Sequence, residues 1–141
     1  MSSEVKVNDD CEAKFLEIKL QQKYRYVIYK LSADYKEIVV DKTGSIDSTY
    51  DNFMDDLSEH DCRWVVYDFV PKLDEDSQIR KLVFISWCPD DARIRSKMMQ
   101  ASSRSNLCRK LNGIGLEISA TELDEISYET VLEKAKQASR H

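Results

Sequence analysis

Glycine and proline are almost missing from this chain of 141 residues: Gly44, Gly113, Gly115, Pro71 and Pro89 are the full set. So few breakers exclude a flexible Gly/Pro-rich linker. No run approaches the roughly 18 continuous apolar residues of a membrane span, and the N-terminal MSSEVKV has no apolar h-region, so neither a span nor a secretory signal is expected. Cysteine is sparse as well. Cys11, Cys62, Cys88 and Cys108 lie far apart without C-x-x-C spacing, which argues against structural zinc and for reduced, packed thiols in a cytoplasmic protein. There are two histidines, His60 in a polar loop and His141 at the end, too few and too isolated for a nucleophile–base pair or an H-x-x-x-H metal site. G-I-G at 113 to 115 is too short for a phosphate loop, and the acids of DEDS, 74 to 77, lack the spacing and glycine of a calcium loop. No catalysis, metal or cofactor is expected. The net charge of −5 argues against bulk attraction to nucleic acid or anionic lipid, leaving local basic clusters as the only anion-binding candidates.

What is present is an ordinary globule, 42% hydrophobic and 33% charged. The length fits one domain over 1 to 141, its first eight residues a flexible arm. Asp9 stands three residues before Glu12, like a capping box, and Cys11, Phe15 and Ile18 follow at helical spacing, predicting a helix over 9–21. YRYVIYKL and EIVV predict antiparallel strands over 24–31 and 37–41, with DKTGSID as a turn. Tyr50, Phe53, Met54 and Leu57 predict a short helix capped by Asp47 or Ser48. RWVVYDFV (63 to 70) and KLVFISW (81 to 87) are apolar on both faces, as central strands covered on both sides must be. PKLDEDSQI between them reads as an exposed hairpin connection. LEIS is a short strand, and Ser127 caps a last helix whose inner stripe is Val131, Leu132, Ala135 and Ala138. The order predicts an α/β (α+β) fold: a central mixed sheet of five to six strands sandwiched between helices, the long helix crossing over to set its strand beside a neighbour.

That long helix, predicted from Pro89–Asp90 to Asn112–Gly113 and roughly 30 Å long, has an unusual charge pattern. Ile94, Met98, Ala101 and Cys108 fall within about 80° and predict one core stripe. Leu107 and Leu111 lie well round the cylinder, so the stripe drifts, and Ser102, Ser103 and Ser105 mark a bend that would keep both halves on a twisted sheet. Arg95 and Met99 share one flank with Arg109; Arg93, Lys97 and Arg104 share the other. Few acids stand at i±3 or i±4 to balance these cations, so the helix is a candidate contact surface for an acidic groove rather than a solvated flank.

The string WCPDDARIRSKMMQASSRSNLCRKLNG, with VVYDF at 65 to 69 and SYETVLEKA at 127 to 135, resembles the actin-depolymerising factor/cofilin family, with a pattern like that of its fungal or protist members. The resemblance runs over essentially the whole chain and implies the actin-depolymerising-factor homology fold with a long kinked helix. It implies a cytoplasmic, monomeric, non-enzymatic protein that binds actin monomers and filament sides, prefers ADP-bound subunits, and severs and depolymerises filaments. It places Ser3, Val5, Arg95, Lys97, Met98, Arg109 and Lys110 against actin in monomers and filaments. Arg80, Lys81, Glu133 and Lys134 match a filament-specific surface, with Gln137 where the family has a basic residue. Arg95, Lys97, Arg109 and Lys110 are the implied phosphoinositide contacts, and Ser3, or Ser2 beside it, the implied inhibitory phosphorylation site. The alternatives are a phosphoinositide-binding module, which would not need the apolar anchor Met98, and a non-severing filament binder of the coactosin type.

Overall fold

The computed structural model describes residues 4–73 and 78–139. Ser2, Ser3, His141 and the DEDS acids lie outside the described residues. The elements are β1 (Lys6–Val7), α1 (Asp9–Gln21), β2 (Tyr24–Leu31), β3 (Glu37–Ser45), α2 (Tyr50–Asp56), β4 (Arg63–Phe69), β5 (Lys81–Trp87), α3 (Ile94–Cys108), β6 (Leu116–Ala120), a 3-10 turn (Leu123–Ile126) and α4 (Tyr128–Ala138). They build one six-stranded sheet in the order β1-β3-β2-β4-β5-β6. The central pairs are antiparallel, while β1 on β3 and β6 on β5 are parallel, the second through the crossover formed by α3.

Two-residue alternation divides the core. Tyr26, Ile28, Val65, Tyr67, Phe69, Val83, Ile85 and Trp87 face α2 and α4, while Val27, Tyr29, Trp64, Val66, Leu82 and Phe84 face α1 and α3. Because the middles of β2, β4 and β5 are buried on both faces, residues 26–29, 64–67 and 82–85 read as apolar runs.

Several sequence expectations are corrected. The first helix is capped by Asn8, whose side chain accepts from Asp10 N, and not by an Asp9–Glu12 box. α2 is capped by Thr49 in a reciprocal box with Asn52, so neither Asp47 nor Ser48 serves. DKTGS is not a turn but the second half of β3. Gly44 pairs with Tyr26, and a Cβ there would stand 2.2 Å from the tyrosine ring. The aromatic ring occupies the space a side chain would need, so the glycine serves strand packing here. The segment expected as an arm is tied down from residue 5: Val5 is buried, and Lys6 and Val7 pair with Glu37 and Ile38.

The long helix differs most. It starts at Ile94, about 22 Å from its end by helical rise. Pro89 to Ala92 close a turn through Ala92 N to Pro89 O, and Arg93 is extended, so the helical ladder opens only with Lys97 N on Arg93 O. Its hydrogen bonding is unbroken, and Ser102 Oγ donates back to Met99 O at 3.3 Å. Most of the expected core stripe faces solvent: Ile94 is 76% and Met98 66% exposed, and Ala101 is exposed too, while Cys108, its last member, is half-buried against the core. The buried strip is Gln100, Ser103 and Leu107.

Candidate functional site: the exposed face of the long helix

The inversion of α3 has a physical cause. Gln100 Nε2 donates to Arg63 O at 2.8 Å and to Trp87 O at 3.0 Å, clipping the helix to the ends of β4 and β5. Ser103, small and fully buried, lets the helix lie close on the sheet, and Leu107 supplies the hydrocarbon. Polarity periodicity then points to the wrong face, because a hydrogen-bonded glutamine and a small serine are buried and apolar groups are left outside. A contiguous apolar ridge of Ile94, Met98 and Ala101 in water is what an interface, not a core, requires.

The cations flank this ridge. Arg95 is exposed and meets no carboxylate within ion-pair distance among the described residues; its guanidinium carbon lies 4.9 Å from the centroid of the Tyr35 ring. Lys97 Nζ donates to Asp90 O at 2.6 Å, a carbonyl that fixes its direction without neutralising it. Arg109, at the C-cap, donates to Asn106 Oδ1 at 2.8 Å and stands 3.9 Å from Glu4 Oε1, both groups well exposed. Lys110 beside it is exposed. Arg104 differs: it donates to Glu117 Oε1 at 2.6 Å and its guanidinium covers the Phe84 ring. β1 joins the site through Asn106 Nδ2, which donates to Val5 O at 3.0 Å and holds the N-terminal segment along the end of α3. The structure therefore places Arg95, Lys97 and Met98 in the first turns of α3, Arg109 and Lys110 just past its opposite end, and Val5 beside that end ahead of β1. Ser3 lies outside the described residues.

The second set lies elsewhere. Lys81 opens β5, and Glu133 and Lys134 are exposed on α4, on the sheet face opposite α3. Arg80 is engaged internally: Nε donates to Asp68 Oδ1 at 2.8 Å, and Nη2 reaches Ile18 O and Lys19 O at 3.1 and 3.3 Å.

Near the start of α3, the exposed His60 bonds through Nδ1 to Asp91 Oδ2 at 2.6 Å, and that bond, with the carboxylate charge, raises its pKa above the ordinary value. Cys62 and Cys88 end adjoining strands with their sulfurs 3.1 Å apart, both free thiols. Burial first, then the Cys88 contact, pushes the Cys62 thiol up to about 12, so it stays protonated. Sequence reasoning missed Tyr35, a hairpin residue that lies against α3, and Asn106, which had no local signal; it misplaced Ile94 and Ala101.

A mixed sheet between two helical layers, with an exposed apolar and cationic helix as its contact face, defines a macromolecule-binding module. The model of the family of cofilin/tropomyosin-type actin-binding proteins matches residues 4–136, and the chain belongs to that family. It is 48% identical over 132 residues to cofilin of Schizosaccharomyces pombe, covering 94% of this chain and 95% of that one. It is 47% identical over 133 residues to cofilin of Ogataea parapolymorpha, covering 94% and 92%. The crystal structure of Streptomyces griseoflavus cofilin superposes with a TM-score of 0.87 at 42% identity, covering 94% of this chain and 98% of that one.

Proposed function

We propose that this protein binds actin monomers and the sides of filaments, prefers ADP-bound subunits, and severs and depolymerises filaments. The observation that carries the reading is the solvent-facing ridge of Ile94, Met98 and Ala101 between cations that no carboxylate neutralises. Such a surface suits a cleft with an apolar floor and acidic walls: the ridge supplies desolvated contact area, and Arg95 and Lys97 supply orientation and speed of encounter. A phosphoinositide site alone would leave that ridge without purpose. Relatives matching over nearly the whole chain are named cofilin and actin-depolymerizing factor, which supports depolymerising activity over a binder of the coactosin type.

Lys81, Glu133 and Lys134, with Arg80 behind them, form the filament-specific contact to a second subunit, which suits their place on the opposite sheet face. Phosphoinositide headgroups compete for Arg95, Lys97, Arg109 and Lys110. A phosphate on Ser3, or on Ser2, adds about −1.5 to −2 charges and repels an acidic partner. The protein acts as a cytoplasmic monomer, and no helix among the described residues is long and apolar enough to cross a membrane. Pyrene-labelled ADP-actin filaments mixed with the protein test the reading: rapid loss of polymer with new ends is expected, and binding without fragmentation refutes severing.

A further inference from the structure

The first turn of α3 has little of its own to hold it. Arg93 at the N-cap offers no side-chain acceptor to the free amides, no acid stands in the first turn, and Arg95 and Lys97 place positive charge where the helix dipole disfavours it. An end so composed frays unless another element binds it.

That element is the tip of the β2–β3 hairpin. Tyr35 has φ of 59°, a left-handed backbone that is costly for a bulky side chain. Local bonds keep it there. Tyr35 N donates to Ser32 O at 2.9 Å, Asp34 Oδ1 accepts from Ser32 Oγ at 2.7 Å and Lys36 N at 3.1 Å, and Glu37 N donates to Ser32 Oγ at 3.1 Å. Held this way, the tyrosine lies against α3: its hydroxyl stands 2.8 Å from Ser96 Oγ and its ring lies under the Arg95 guanidinium. Among the described residues no hydrogen bond or ion pair restrains that guanidinium, so the ring is what orients it.

We propose that Tyr35 is a positioning residue for docking: its ring lays Arg95 in the orientation in which the partner meets it, and its hydroxyl pins the turn that displays Ile94 and Met98. The proposal rests on α3 being the docking helix. A free arginine loses rotamer freedom when an acidic cleft takes it up; one already laid on an aromatic face loses less.

The test is a double-mutant cycle on the full chain, reading affinity for fluorescently labelled ADP-actin monomers. Tyr35→Ala is expected to weaken binding about tenfold and Tyr35→Phe, which keeps the ring, only about twofold. In an Arg95→Ala background, Tyr35→Ala should cost only about twofold more, the share of the hydroxyl, because the ring and the guanidinium act as one unit. Hydrogen exchange at Lys97, Met98 and Met99, the first amides of the ladder, should quicken in Tyr35→Ala. If that variant does not fold, Tyr35→Leu, which keeps bulk without a π face, replaces it. Unchanged or tighter binding by Tyr35→Ala, or losses that simply multiply, overturn the proposal while Arg95→Ala still weakens binding. Unchanged binding by Arg95→Ala with Lys97→Ala defeats the docking assignment, and the proposal with it.

Discussion

Arg95 and Arg80 carry the same charge and live in opposite circumstances. Arg80 is the partner of Asp68, a carboxylate only 1% exposed, and its remaining hydrogen bonds tie β5 to the end of α1. Arg95 is set against a neutral ring at the edge of an apolar ridge, its charge unspent. The difference separates two uses of a cation: one balances a charge inside the fold, and the other, on the proposed reading, is left for a partner. Charge counting cannot tell them apart; the position of the nearest carboxylate does. Arg104, paired with Glu117, shows that the distinction operates within one helix.

The sharpest way to break this comparison is to delete both arginines and weigh folding against binding. Arg80→Ala strands the Asp68 carboxylate in the interior, and stability measured by urea unfolding should fall by about 3 kcal/mol. Adding Asp68→Asn should recover part of that loss, since the orphaned charge, more than the missing contact, is the cost. An Arg80→Ala protein of full stability would mean that water already serves Asp68 and that the arginine is free after all. A filament-binding defect in this variant has to be corrected for its unfolded fraction before it says anything about contact.

Arg95→Ala with Lys97→Ala should do the reverse. Unfolding should shift by less than about 0.5 kcal/mol, the usual range for exposed sites, while affinity for actin falls about a hundredfold, or about 2.7 kcal/mol. Loss of stability without loss of affinity would reverse the roles assigned to the two arginines. The ridge sharpens the same contrast with a smaller effect: Met98→Ala should weaken actin binding about tenfold and leave urea unfolding unchanged, because the truncated side chain contributes to no core. A drop in stability of the size seen for buried methionines, about 2 kcal/mol or more, would put Met98 back in the interior.

Strands β2, β4 and β5 were legible in the sequence because burial on both faces leaves a four-residue apolar run at the middle of each that no surface element needs. The second half of β3 was not, since DKTGS has the composition of a turn, and the reason for Gly44 is the ring of Tyr26, a residue 18 positions earlier. The caps were placed one or two residues away from Asn8 and Thr49, within the reach of any reading that cannot see which side chain meets the amide. On α3 the run of cations was legible, but the buried face was not, and periodicity set Met98 on it wrongly. Gln100 and Ser103 are core residues only because two strand carbonyls and a close sheet lie beneath them, and neither fact is local to the helix. Tyr35 was out of reach for the same reason, 61 positions from the serine it bonds.

The smallest expected effect concerns the approach to α3, where His60 and Asp91 form an exposed pair two residues before the N-cap. The bond to Asp91 and the carboxylate charge favour the imidazolium, raising its pKa in the fold above the ordinary value near 6.5. A raised folded value means that the pair's contribution is complete below about pH 6.5 and is lost as pH climbs through the raised value. Both groups are exposed, so the gain is small and best read as a difference. Between about pH 8 and about pH 6, wild-type unfolding temperature should rise slightly relative to Asp91→Asn, with the two curves converging at the alkaline end. The imidazole titration followed by NMR should fall back toward the ordinary value in Asp91→Asn. If it does not move, Asp91 is a neighbour of His60 and not its partner, and the leader of α3 carries no proton-sensitive contact at that position.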